Sequence, residues 1–192
     1  MNGNGKSDPL PSSSLDRAAI VGALQKLSDK LGQRGVTGEL CLFGGTVMVL
    51  AFTARLATKD VDAIFQPAQL IRDLARHIAE EQGLPTDWLN DGVKGFVSTR
   101  HDTTAGNLPQ FPHLRLTMPV PEYLLAMKCM AARLAGTTDG PSDVPDILFL
   151  IRHLGLKSSK EALDLVAQYY PLSRIPVKTR FLIEGLFEEG AV

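Results

Sequence analysis

Leu40-Cys41-Leu42-Phe43-Gly44-Gly45-Thr46 is followed, fourteen residues past Thr46, by Asp60-Val61-Asp62. The first run is apolar up to the glycines, and Val61, Ala63, Ile64 and Phe65 surround the second acid. The pattern predicts a strand, a Gly-Gly-Thr turn, a short helix and a second strand carrying two acids. Residues i and i+2 of a strand point to one face, so Asp60 and Asp62 project side by side, roughly 7 Å apart at Cα. Paired carboxylates in that position can hold one or two Mg²⁺ ions, which clamp the oxygens of a phosphoryl group in transfer. Glycines let backbone N–H groups approach phosphates without interference from a Cβ. A phosphate cradle and metal ligands thus fall within one short segment.

Outward from this segment, the chain divides by its periodicities. Ile20, Val21, Leu24, Leu27 and Leu31 recur at helical spacing, with Ser13 or Ser14 as the expected cap and Gly32 and Gly35 as stops. Strands are expected over 38–43 and 60–65, with a short helix over 45–54 between them. Pro67 opens a helix running to about Gln82, which Gly83 ends. Further strands are expected over 93–98 and 113–118. The Thr-, Gly-, Asn- and Pro-rich stretch from His101 to Pro112 reads as a loop able to act as a lid. Helices are expected over 121–135, 143–154, 159–169 and 176–189, with Gly136 to Pro141 separating the first two. Strands with helices come first and helices alone follow, which predicts an α+β core carrying a helical C-terminal region. The expected division is a flexible tail over 1–13, an α+β core over 14–120 and a helical region over 121–192.

Gly-Gly-Thr, a helix and Asp-x-Asp together resemble the signature of the nucleotidyltransferase superfamily. Trp88-Leu89-Asn90-Asp91-Gly92-Val93-Lys94-Gly95-Phe96 resembles a segment of a small bacterial branch of it. So do Pro121-Glu122-Tyr123-Leu124-Leu125-Ala126-Met127-Lys128 and Asp143-Val144-Pro145-Asp146-Ile147-Leu148-Phe149-Leu150. That branch is similar to the AbiEii and MenT type toxins, and the likeness covers roughly residues 15 to 190. It implies a nucleotidyltransferase-like mixed sheet and transfer of NMP from an NTP to an acceptor hydroxyl. Mg²⁺ or Mn²⁺ is the implied cofactor, a tRNA 3′ end the implied acceptor, and a cognate antitoxin the implied partner. Lys128 matches a lysine that contacts nucleotide phosphates in those toxins. Asp146 matches an acid lying close to that lysine and required for activity.

Each residue also has a plainer role. Gly44 and Gly45 can make an ordinary tight turn. Thr46 is a phosphate-contacting hydroxyl, the cap of the helix it opens, or both. Arg55 and Lys59 flank the helix-to-strand connection, where they neutralise triphosphate or lie in a solvated loop. Lys128 sits in an apolar helix with Leu124, Leu125, Met127 and Met130, so it needs a partner, a role or a path to solvent. Asp143 suits a helix cap, while Asp146 lies among apolar residues, and the resemblance implies that it pairs with Lys128. Asn90, Asp91 and Lys94 position a base or acceptor, or form a turn. Many nucleotidyltransferases carry a third carboxylate on a later strand, but His113-Leu114-Arg115-Leu116-Thr117-Met118 has no acid. Asp91 or Asp146 substitutes for it, two carboxylates suffice, or catalysis is impaired. A protein NMP transferase and a non-catalytic binding module therefore stand as alternatives.

Composition bounds these readings. With 192 residues, 44% of them hydrophobic, the chain can build a core of its own. No apolar run reaches the roughly 18 residues of a membrane span, and the N-terminal residues lack the apolar region of a signal peptide. Cys41 and Cys129 sit in apolar surroundings, as expected of free thiols in a reducing cytoplasm. The net charge of -1 gives no global nucleic-acid signature. Lys157, Lys160, Arg174, Lys178 and Arg180 leave room for a local basic surface.

Overall fold

The computed structural model describes residues 14–132 and 143–192. The tail over 1–13, a cap at Ser13, the end of the helix expected over 121–135 and the Gly136 to Pro141 separator lie outside the described residues. The described chain runs β1 (Leu15–Asp16), α1 (Arg17–Gly32), β2 (Gly38–Leu42), α2 (Gly44–Leu50), β3 (Ala57–Thr58), β4 (Val61–Gln66) and α3 (Ala68–Gln82). It continues through β5 (Leu89–Asn90), a 3₁₀ turn (Gly92–Phe96), β6 (Thr103–Thr104), β7 (Leu114–Pro119) and α4 (Pro121–Ala131). Then come α5 (Val144–His153), α6 (Ser159–Tyr169) and α7 (Val177–Glu188). The expected α+β class holds.

Five strands make a mixed sheet in the order β5-β4-β2-β7-β6. At its centre β2 runs antiparallel to β4 and parallel to β7. Burial alternates along these strands, so Leu40, Leu42, Val61, Ala63, Phe65, Leu114 and Leu116 point into the core. Helices α1 and α3 cover that face. A Cβ on Gly38 would meet Leu31 of α1, Ile71 of α3 and Leu114 of β7, all within 3.3 Å. Glu39, Cys41, Asp62, Ile64, Arg115 and Thr117 face the other way. In the helical half, α4 packs against α5 and α6, and α6 against α7. The buried Thr179 hydroxyl donates to the Cys129 carbonyl at 2.7 Å, and the Tyr123 and Tyr169 rings stack at 4.9 Å.

Several local expectations need correction. The α1 cap is Asp16, whose Oδ1 accepts from the Ala19 N–H at 2.8 Å. Helix α2 stops at Leu50 rather than 54, where Arg17 reaches the Leu50 carbonyl at 2.6 Å and satisfies a helix-end acceptor. The strand expected over 93–98 is a 3₁₀ turn, closed by the Lys94 N–H on the Asp91 carbonyl at 3.1 Å. The edge strand is instead Leu89–Asn90, too short to display a period of two. Residues 101–112 contain β6 and the buried Leu108, and none of them lines the cavity described below. Among the described residues no helix is long and apolar enough to cross a membrane.

Both thiols are free, and burial raises each. Cys129 is pushed up to about 12, whereas Cys41, on the open face of the sheet, keeps a Thr117 hydrogen bond that opposes the rise. The thiolate is the reactive form. Iodoacetamide at pH 8 is therefore expected to modify Cys41 slowly and Cys129 only as fast as the chain unfolds, with both labelled in denaturant. Rapid native labelling of Cys129 in peptide mass spectra contradicts its burial.

Candidate functional site

A cavity of about 700 Å³ opens where the end of β2, the start of β4, α4 and the first residue before α5 meet. It brings together segments far apart in sequence: Phe43, Gly44 and Gly45; Arg55, Thr58, Lys59, Asp60 and Asp62; Gly92, Val93 and Phe96; and Leu124, Met127, Lys128, Ala131 and Asp143. The antiparallel pairing of β2 with β4 explains the first two. The Phe43 N–H donates to the Asp62 carbonyl at 2.9 Å, so the glycine turn and the acids sit at the same end of neighbouring strands.

The glycines are fixed by geometry. Gly44 has φ +59°, and a Cβ there would lie 3.0 Å from Asp62 Oδ2. At Gly45 a Cβ would fall 2.4 Å from Thr58 Oγ1 and 3.0 Å from Thr58 Cβ. Thr58 is buried and β-branched, so it cannot swing aside. Gly45→Ala is expected to cost about 1–3 kcal/mol by overpacking. Adding Thr58→Ala removes the oxygen and should recover part of the lost Tm. A Gly45→Ala chain melting at the unaltered temperature contradicts the contact.

Asp60, expected as the first residue of the strand over 60–65, lies instead in the bend just before β4, which starts at Val61, and Asp62 is the second residue of β4. Both line the cavity and are only partly buried. Asn90 stands opposite Asp62 in the β4–β5 pairing, and its amide donates to Asp60 Oδ2 at 3.2 Å. Thr46 is turned inward, fully buried, and its hydroxyl donates to the Asp60 carbonyl at 3.1 Å. That side chain holds the acid-bearing bend against α2 and does not line the cavity. Lys59 lines it and is exposed.

Behind the acids lies a buried ionic network. Lys128 Nζ is 2.9 Å from Asp143 Oδ1 and 2.6 Å from Asp146 Oδ2. The latter is an ion pair by distance, without hydrogen-bond alignment. Arg55 Nε donates to Asp146 Oδ1 at 2.6 Å. The expected Asp146–Lys128 pair is thus present, with Arg55 as an additional partner. Asp146 supports two cavity cations without lining the cavity itself. Asp143 does line it, and its carboxylate turns to Lys128 instead of capping α5. Asp91 is engaged elsewhere. Lys94, then Arg72, hydrogen-bond to it and hold its carboxyl below the usual range.

No family model, curated protein or solved structure matches this chain. Among the described residues the cavity lining holds three cations and three carboxylates, and Asp146 behind them adds a fourth acid. The carboxylates oppose a bare triphosphate, and a divalent cation would offset them. Among the described residues no group of three or more His, Cys, Asp or Glu could hold a metal alone. Two adjacent carboxylates still suit Mg²⁺, which keeps water and phosphate oxygens as its remaining ligands.

Three of the late basic residues have partners in the structure. Lys160 pairs with Asp164, Lys178 donates to the Ala132 carbonyl and Arg180 to the Leu172 carbonyl. Asn90 reaches Asp60 through the β4–β5 pairing, and Asp143 reaches Lys128 through the packing of α4 on α5. Thr58, on β3 against Gly45, is the lining residue that the sequence does not signal.

Proposed function

We propose that this chain is a metal-dependent nucleotidyltransferase, moving NMP from an NTP to an acceptor hydroxyl. The observation that carries this is the meeting of Gly44-Gly45, Asp60 with Asp62, and Lys128 in one cavity, from three separate segments. Gly44 and Gly45 offer backbone that a triphosphate can approach closely. Arg55, Lys59 and Lys128 neutralise its charge, and Asp146 positions Arg55 and Lys128. Asp60 and Asp62 would hold Mg²⁺ or Mn²⁺, which supplies stabilisation of charge on the reacting phosphates. Asn90 orients Asp60. In the transfer the acceptor oxygen bonds to the α-phosphorus, the bond from that phosphorus to the β-bridging oxygen breaks, and pyrophosphate leaves. The hydroxyl proton passes to water.

The tRNA 3′ end is the acceptor proposed first, on the sequence resemblance alone. With it come a toxin role and a cognate antitoxin. A protein hydroxyl is the alternative acceptor. The second reading, a non-catalytic binding module acting as an antitoxin or interaction partner, is favoured by one observation. Strand β7 bears no acid, and both substitutes, Asp91 and Asp146, are already engaged by cations.

Incubation with each α-³²P-labelled NTP, Mg²⁺ and total tRNA tests the proposal. Label on RNA supports the tRNA acceptor, and label on protein supports the alternative. No transfer to any acceptor overturns the proposal, and no transfer together with no Mg-NTP binding favours the module.

A further inference from the structure

We infer that Phe96 is the platform on which the nucleobase of the incoming NTP stacks. This rests on the nucleotidyltransferase proposal and deepens it. Phe96 lines the same cavity as Asp60, Asp62 and Lys128, yet it is 44% exposed. The other lining aromatic among the described residues, Phe43, is buried at 3%. A large apolar ring at a cavity wall has a free-energy reason to take a flat partner.

The backbone beneath that ring is held on both sides. After Phe96, the Tyr170 hydroxyl donates to the Phe96 carbonyl. The Ser98 N–H donates to the Tyr123 hydroxyl at 2.9 Å, and the Ser98 hydroxyl donates to the Tyr169 carbonyl. Before it, Asp91 is tied to Arg72 and Lys94. The turn packs against both β4 and α4, the elements that bear the acids and Lys128. Fixing a backbone this firmly while leaving its phenyl ring uncovered preorganises a stacking surface. Beside it, Val93, Leu124, Met127 and Ala131 give the cavity apolar side chains without hydrogen-bonding atoms. Every base has a π-face, so the contact serves all four nucleotides.

Calorimetric binding of each NTP and of inorganic tripolyphosphate, with Mg²⁺, tests this on the full chain. The native chain should bind NTP more tightly than tripolyphosphate. Phe96→Ala should weaken every NTP by about tenfold, in line with base–aromatic stacking, and leave tripolyphosphate within twofold. Phe96→Trp should restore the NTP affinities. Unchanged NTP affinity in Phe96→Ala overturns the platform and leaves the transferase proposal standing. Equal loss of NTP and tripolyphosphate also overturns it, because the ring would then be supporting the phosphate site. A native chain that binds neither overturns both proposals.

Discussion

The Asp60→Ala/Asp62→Ala chain is expected to transfer NMP at least about a thousandfold more slowly than the native one, with Tm changed by no more than a few degrees. A bound divalent cation contributes several kcal/mol of transition-state charge stabilisation, and about 1.4 kcal/mol is a factor of ten in rate. Both acids line the cavity and are partly buried, so their removal leaves the core of Leu42, Val61 and Ala63 intact. Metal dependence gives a second readout. In the native chain, carboxylates beside the proposed triphosphate site should make NTP binding rise steeply with Mg²⁺. In the double variant that dependence should flatten, since both the ligands and the repulsion are gone. Transfer within tenfold of native by the variant would remove Asp60 and Asp62 from the chemistry.

Asp146→Ala should act on stability and activity together. Asp146 is 2% exposed and meets Arg55 and Lys128, each at 2.6 Å. Removing one partner of a buried ion pair costs about 3–5 kcal/mol, because the remaining charge loses its compensation. Arg55 retains some access to water and Lys128 retains Asp143, which places the cost toward the lower end. For a chain of this size about 2–4 °C accompanies each kcal/mol, so Tm should fall by roughly 6–15 °C. Transfer assayed well below the new Tm should still be impaired, since Arg55 and Lys128 lose the carboxylate that aims them. Arg55→Ala added to Asp146→Ala should cost little more, a non-additivity expected of residues in contact. A Tm shift under 2 °C for Asp146→Ala would show that the pairs are not formed in solution.

What could be read from sequence depended on the range of the interaction. Gly44, Gly45, Asp60 and Asp62 were legible because they sit at one end of an antiparallel strand pair, the glycines just after β2, Asp60 just before β4 and Asp62 within it. Lys128 and Asp146 were legible because a charge in an apolar helix demands a partner, and each is the other's. Asp143 misled, since an acid before a helix suggests a cap. Its carboxylate goes to Lys128, a choice made by packing of α4 on α5. Asp91 misled for the same kind of reason. Arg72, on α3, takes it away from the cavity. Residues 93–98 read as a strand because Val93, Phe96 and Val97 are apolar. Gly92, Gly95 and the Asp91–Lys94 contact favour a tight turn, and the ring of Phe96 remains at the cavity instead of entering the sheet.

The Arg55–Asp146 pair joins positions 91 residues apart, across the boundary between the sheet and the helices that follow it. A ribosome-bound chain displays the glycine turn and both acids well before Asp143 and Asp146 have been made. Until Asp143 and α5 are in place, the cavity lacks Asp143 from its lining, and Arg55 and Lys128 lack the carboxylates that aim them. On the proposed function, competence for transfer is therefore deferred to late translation, and a product that stops before α5 is expected to carry the signature residues without Asp146 to aim Arg55 and Lys128.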